Sequence, residues 1–468
     1  MTVAFRKSWA MRCAPSPCPV KVAPVKKRQG VNTMASDQET ITGMAKRIAG
    51  GLSPVALAEA ALARIAARND DLRAMIHVDE AAVLSAARQA EAELRAGRGR
   101  GPLHGVPVAV KDNLDVQGWP TTAGSRLFGA VPAPRTATCL ARLQAQGAII
   151  IGKTNLHELC AGGHANRWFG KVVNPLDTSR GTGGTSSGAA AAVAAGFCAA
   201  AVGTDTGGSN RSPAAATGLF GYKPTAGLIS TDGLRPMSPT LDSVGVIARS
   251  LSDTRIMAEA LSGQNLAAPR PGARLRIAVS PDLADAAVDS RISNAIEAFL
   301  DRPGVDLIEM PFTEVTALRE AGLTILLHEF ALGHAKAIHA QPELVGAGVH
   351  GFLDLGMAIG QPAYRDALQL RKALMRQMEQ CMTGIDALAM PTSPGTAPRL
   401  EDEMTEVNGE WTSWGLAGGT FRRWANMLDM AALAIPLPLA GDLPASVTLG
   451  VLPGQDARLF ALAAALSD

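Results

Sequence analysis

Histidine is scarce in this chain: eight among 468 residues, with none in an HxH or HExxH spacing. That argues against the usual zinc hydrolase sites, which need closely spaced imidazoles on one element. The six cysteines (Cys13, Cys18, Cys139, Cys160, Cys198 and Cys381) are scattered and form no CxxC pair. A disulfide framework is therefore not expected, and free thiols in a reducing, cytoplasmic setting are. Charge is also in short supply. Charged residues make up 18% and the net charge is +2, so nothing in the bulk electrostatics calls for nucleic acid as a direct partner. No apolar run approaches the roughly 18 residues a membrane span needs, and the alanine run 189–195 is too short.

What is abundant is apolar residue, 47% of the chain, enough for a large buried core. The first 34 residues differ. They hold Arg6, Lys7, Arg12, Lys21, Lys26, Lys27 and Arg28, with four prolines and no acid before Asp37. This basic stretch, 1–36, reads as a disordered extension. It is either a transit peptide or the product of an upstream start, with the functional start at Met34. The folded domain is expected over 37–468.

Residues 38–98 read as helical. Ser53-Pro54 opens one helix, with the apolar stripe Leu57, Ala61, Ile65, and Glu80 to Arg95 makes another. From Gly101 the texture changes. Val106–Val110 and Ala148–Ile151 read as buried strands around a helix at 138–146, which predicts α/β architecture with largely parallel pairing. Further strands are expected at 199–202, 275–279, 305–309, 387–390 and 447–451, and a long helix at 363–382. The region 255–380 could form a lobe, though nothing marks it as a separate domain.

Three segments carry chemistry. Lys111 ends the first strand; a hydroxyl-rich turn follows at Gly183–Gly188, entering an alanine helix that Ser186 or Ser187 would cap; and Gly203–Ser209 forms a second glycine turn. Two glycines before a serine let successive N–H groups form an anion nest, suited to an oxyanion. A serine nucleophile needs a base, and a lysine set in an apolar strand end can serve if burial lowers its pKa. Asp112, on the opposite face of the strand, need not pair with it. Taken singly, each segment is as compatible with a solvated lysine or a plain turn.

Together the segments GVPVAVKDN (105–113), GKTNLHEL (152–159), NPLDTSRGTGGTSSGAAAAVAAG (174–196) and GTDTGGSNRSPAAATGLFGYKPTAG (203–227) resemble the amidase signature family. SPTLDSVGVIARS (238–250), DALAMPTSP (386–394) and MLDMAALAIPLP (427–438) extend the likeness. The resemblance implies a single compact α/β domain, a mixed central sheet wrapped by helices, and a Ser/cis-Ser/Lys triad that needs no cofactor. It places the nucleophile at Ser209, the base at Lys111, and the oxyanion hole on the backbone of Thr206, Gly207, Gly208 and Ser209, with Asp205 and Arg211 in support. It assigns Cys160 and Ala161 to the acyl pocket; Trp168 would line it nearby or simply pack. The bridging serine, 24 residues before the nucleophile, is here Thr185, and Ser187 replaces a glycine of the family's GGSSGG. Threonine keeps the hydroxyl but is stiff at χ1, so Ser186 is a candidate to share its duty. Trp411 and Trp414, in a glycine-rich stretch, belong either to a lid or to a surface loop.

The expected activity is hydrolysis of a small carboxamide to carboxylate and ammonia or amine through an acyl-enzyme. The partner is the amide itself, with no membrane involved and homodimerisation left open. Two alternatives stand beside it: the glutaminase component of an aminoacyl-tRNA amidotransferase, and a degenerate, non-catalytic binding protein.

Overall fold

Short β-branched runs bounded by glycine become strands, and the alanine- and leucine-rich runs between them become helices. The computed structural model describes residues 40–272, 274–280, 288–310 and 314–467. The expectations for the basic N-terminal stretch lie outside these residues. The first strands are β1 (Met75–His77), β2 (Pro107–Lys111) and β3 (Ile149–Thr154). Next come β4 (Val173–Asn174), β5 (Asp177–Gly181), β6 (Ala200–Asp205), β7 (Phe220–Lys223) and β8 (Ser243–Ala248). They are followed by β9 (Leu275–Val279), β10 (Val305–Glu309), β11 (Ala387–Pro391), β12 (Met404–Val407), β13 (Glu410–Ser413), β14 (Ala431–Leu437) and β15 (Ala445–Val451).

Eleven of these strands join in one sheet, in the order β1-β3-β2-β6-β8-β7-β14-β15-β11-β9-β10. β2 runs parallel to β3 and β6, as the strand–helix–strand reading expects, and β9 runs parallel to β10 and β11. The centre corrects the expectation of largely parallel pairing. From β6 through β8, β7, β14 and β15 to β11 every neighbour is antiparallel. Connections explain the switch. Parallel neighbours need a crossover, supplied by the helices Thr138–Ala145 and Ser187–Ala194. The β7–β8 connection, 224–242, contains no helix, and β14 turns directly into β15. The segment 255–380 adds β9 and β10 to this same sheet and is no separate domain.

Helices cover the sheet. Pro54–Leu72 starts where Ser53 caps the backbone N–H groups of Val55 and Ala56, and Glu80–Arg95 is capped by Asp79. Gln361–Cys381 matches the long helix expected there. A 26-residue helix, Val315–Ala340, is not legible as an amphipathic pattern, because helices Ala347–Met357, Gln361–Cys381 and Trp414–Met427 pack around it and bury several of its faces. The alanine helix Ser187–Ala194 lies flat on the sheet. A methyl group on Gly188 would come within 2.3 Å of the Ala74 carbonyl oxygen and 2.5 Å of the Asn155 nitrogen. Cys139, Cys160 and Cys198 are buried and free, and Cys381 is exposed and free. Among the described residues no helix is long and apolar enough to cross a membrane.

Candidate active site

The parallel part of the sheet ends where the chemistry begins. β2 delivers Lys111 at its C-terminal end, and the adjacent β6 delivers Thr204 and Asp205 at its own. Lys111 is 0% exposed. Its Nζ lies 2.8 Å from Thr185 Oγ1 and 2.8 Å from Thr204 Oγ1. No carboxylate among the described residues is in contact with it: Asp112 points the other way and pairs with buried Lys153 at 2.7 Å, as strand alternation requires. Burial therefore lowers the Lys111 pKa below the ordinary lysine value, offset in part by Cys160, Asp242 and Asp205. A charged amine here donates to both threonines. A neutral one can donate to Thr204 and present its lone pair to Thr185.

The two glycine turns lie edge to edge. The Ser186 N–H donates to the Ser209 carbonyl at 3.2 Å, and Ser186 Oγ donates to the Thr204 carbonyl at 3.0 Å and accepts from the Thr204 N–H at 3.3 Å. Ser186 thus pins the turns together instead of capping the alanine helix, and its hydroxyl is occupied away from Lys111. The helix N-terminus indeed has no side-chain cap. Peptide bonds among the described residues are all trans, so the cis bond that the family likeness implies at this turn is not observed. Ser209 is half-buried, and its hydroxyl makes no hydrogen bond to another described residue. The path from Lys111 is joined at Thr185 and open at Ser209.

Around Ser209 the nest is set by Asp205. Its carboxylate accepts from the Gly208 N–H at 2.8 Å and the Asn210 N–H at 3.3 Å, and grips Arg211 through Nε at 3.0 Å and Nη2 at 3.1 Å. Burial alone would raise the Asp205 pKa, but Arg211 and these N–H groups prevail and hold it well below the usual carboxylate range. The Gly208 N–H, expected among the oxyanion donors, is therefore committed to Asp205. The N–H groups of Thr206, Gly207 and Ser209 make no hydrogen bond to the described residues. Gly208 has φ +110°, a conformation that side chains rarely adopt, and a methyl group there would meet the Arg422 side chain at 2.5 Å.

Several further partners complete the site. Asn113 Nδ2 donates to Thr204 Oγ1 at 3.0 Å and touches Cys160 Sγ at 3.5 Å. Asp242 accepts from Thr206 Oγ1 at 2.6 Å, and burial pushes its pKa up to about 6. Asn426 accepts from Arg211 Nη2 at 2.9 Å and donates to the Asp205 carbonyl at 2.8 Å. Asn113, Thr204 and Asp242 sit inside the quoted motifs and could have been singled out; Asn426, more than 200 residues from its partners, gave no local signal. Cys160 and Ala161 follow β3, and Cys160, at φ +59°, reaches the site through Asn113. Trp168 does not join this constellation. Its Nε1 donates to Glu158 Oε1 at 2.8 Å, and the guanidinium groups of Arg126 and Arg167 both lie against its ring. The stretch with Trp411 and Trp414 is neither an open lid nor a loop. β12 and β13 form a hairpin there, and the helix Trp414–Met427 starts at a 2% exposed tryptophan whose Nε1 donates to the Gly183 carbonyl.

The amidase family model matches residues 56–460. The chain belongs to the amidase signature family. It is 34% identical over 463 residues to the A component of the glutamyl-tRNA(Gln) amidotransferase of Anaeromyxobacter sp. (strain K), covering 89% of this chain and 93% of that one. It is 33% identical to the indoleacetamide hydrolase of Pseudomonas savastanoi, covering 78% and 84%. A crystal structure described as an amidase superposes with a TM-score of 0.83 at 34% identity, covering 90% of this chain and 98% of that one. As an amidase signature protein with amidase relatives, the chain is an amide-hydrolysing enzyme, and its mixed central sheet wrapped by helices is that family's α/β fold.

Proposed function

We propose that this amidase signature enzyme cleaves the C–N bond of a small carboxamide through an acyl-enzyme on Ser209. Neutral Lys111 takes the Thr185 proton while Thr185 takes that of Ser209. Ser209 Oγ attacks the carbonyl carbon. The tetrahedral oxyanion is received by the N–H groups of Thr206, Gly207 and Ser209, while Gly208 and Arg211 hold the nest in shape through Asp205. Collapse breaks the C–N bond, and the leaving amine takes its proton back along the same path. Water, giving its proton to the relay, then attacks the acyl carbon; the bond to Ser209 Oγ breaks, Ser209 takes that proton back, and the acid leaves as its carboxylate. The single observation that carries this reading is the buried, carboxylate-free Lys111 amine at 2.8 Å from Thr185. Cys160 and Ala161 line the acyl side. Buried free thiols at Cys139, Cys160 and Cys198 support a cytoplasmic setting.

A panel of primary amides, anilides and glutamine, followed by release of ammonia or amine, tests the proposal. Turnover by the isolated chain, lost in Lys111→Ala, is the expected result; a Lys111→Ala protein with full activity at neutral pH would refute it. The relatives named as components of glutamyl-tRNA(Gln) amidotransferases favour one second reading, a glutaminase that works within a complex. Glutamine hydrolysis that appears only with partner chains would select it.

A further inference from the structure

Next to the nest stands a pair of arginines that the proposed chemistry does not use. Arg423, on the helix Trp414–Met427, faces the open side of Gly207: a methyl group built on that glycine would lie 3.4 Å from Arg423 Nε and 3.9 Å from Nη2. Arg423 Nε is buried and has no hydrogen-bond partner. Its Nη1 donates to the Arg319 carbonyl at 3.1 Å. The stem crosses Gly322 of the helix Val315–Ala340, where a methyl group would come within 2.6 Å of Arg423 Cδ. That contact fixes where the guanidinium can reach. Arg319 stands beside it, bonded to Thr420 Oγ1 at 3.3 Å, and its only acidic neighbour among the described residues is the exposed Glu320 at 3.7 Å.

Charge around the nest does not balance. Arg211, Arg422 and Arg423 all reach it, at Asp205, Gly208 and Gly207, while Asp205 is engaged by Arg211 and Asp242 by Thr206. Arg422 is 5% exposed, and its Nη1 also lacks a partner. Burial, reinforced by Arg319, lowers the Arg423 pKa to about 10, the response expected of a cation with no anion to meet it. A shielded guanidinium without a counter-ion is costly, and its planar fork matches a carboxylate.

The geometry points to Arg423, backed by Arg319, as the receptor for a carboxylate on the substrate, so that the preferred substrates are monoamides of dicarboxylic acids, anionic at one end and amide at the other. This rests on the proposed chemistry at Ser209 and names the substrate class for it. A competing role, in which Arg423 stabilises the oxyanion itself, makes a different prediction: its loss would lower kcat for every amide alike.

The test compares succinamate and glutaramate with the neutral isostere of succinamate, 4-methylpentanamide, in the wild-type chain, in Arg423→Gln and in Arg423→Lys. The wild type should favour an anionic amide in kcat/KM. Arg423→Gln should lower that preference on the order of 10–100-fold, mainly through KM, as expected for loss of a charge-assisted contact. Arg423→Lys should restore part of it. A wild type that prefers the neutral amide, a preference unchanged in Arg423→Gln, or an equal loss of kcat on both substrate types would overturn the inference while leaving Ser209 chemistry standing. If no amide is turned over, the amidase reading fails on its own, and calorimetric binding decides the inference. Succinamate binding that weakens in Arg423→Gln supports it; equal or absent binding of the charged and neutral amides refutes it. Should Arg423→Gln not fold, the wild-type comparison alone still decides.

Discussion

The Asp205–Arg211 pair performs two tasks that a double substitution can separate. Both side chains are fully buried, the salt bridge spans 3.0 Å, and the carboxylate also holds the N–H groups of Gly208 and Asn210. Arg211→Met leaves a buried carboxylate without its counter-ion, which costs about 3–5 kcal/mol of stability. Asp205→Asn leaves the guanidinium uncompensated at a similar cost. Placing both changes together removes both charges, and with them the penalty of one unpaired buried ion. The nest does not recover, because it needs the carboxylate on the Gly208 and Asn210 N–H groups. Loss of an ordered oxyanion site lowers kcat by roughly 10²–10³. Urea denaturation should therefore show the double variant more stable than either single variant, while amide turnover stays as low as in Asp205→Asn. The pH dependence follows the sign of the Asp205 shift. Its folded pKa lies below the unfolded one, so this stabilisation is full above the ordinary carboxylate value and is lost as the pH falls below it. Recovery of kcat together with stability in the double variant would refute the assignment of Asp205 as the residue that shapes the nest.

Other perturbations address the relay and the packing beneath it. Thr185→Val keeps the shape but removes the hydroxyl 2.8 Å from Lys111, and should lower kcat by about 10²–10⁴, whereas Thr185→Ser should retain it; a Thr185→Val enzyme within tenfold of wild type would show that another group carries the proton. Asp242 raises the Lys111 pKa, so Asp242→Asn should move the rising limb of the pH profile of kcat/KM to lower pH; a limb that stays in place or moves up contradicts this coupling. Gly188→Ala drives a methyl group into the Ala74 carbonyl and should destabilise the fold by about 1–3 kcal/mol or more, and an unchanged denaturation midpoint would mean that the alanine helix can lift from the sheet.

The sequence was most readable where one short segment carries both a structural and a chemical signal. Lys111 could be named because a lone amine ends a run of apolar β-branched residues, and its isolation from Asp112 followed from strand alternation. The glycine turn before Ser209 was legible as a nest, but not the commitment of the Gly208 N–H, since that depends on how the Asp205 side chain folds back. From the sequence, Ser186 is a candidate cap or relay group. The structure gives its hydroxyl to the Thr204 backbone, a contact set by the approach of two turns distant in sequence. Asn426, Trp414 and Arg423 arrive from a C-terminal helix whose glycine-rich start hid the helical pattern. The antiparallel centre of the sheet was missed because β7, β8 and β14 are interrupted by glycine or lack a period, and because pairing direction depends on connections rather than on strand composition.

The claim on which the rest depends is that Lys111, uncharged, drives Ser209 through Thr185. The most direct measurement is the second-order rate of Ser209 labelling by a fluorophosphonate as a function of pH, in the wild type and in Lys111→Met. The wild-type rate should rise through one ionisation lying below the ordinary lysine pKa of 10.5, and in the variant labelling should be slow and that ionisation gone. The same profile in both proteins, or a wild-type ionisation at or above the ordinary lysine value, would contradict it.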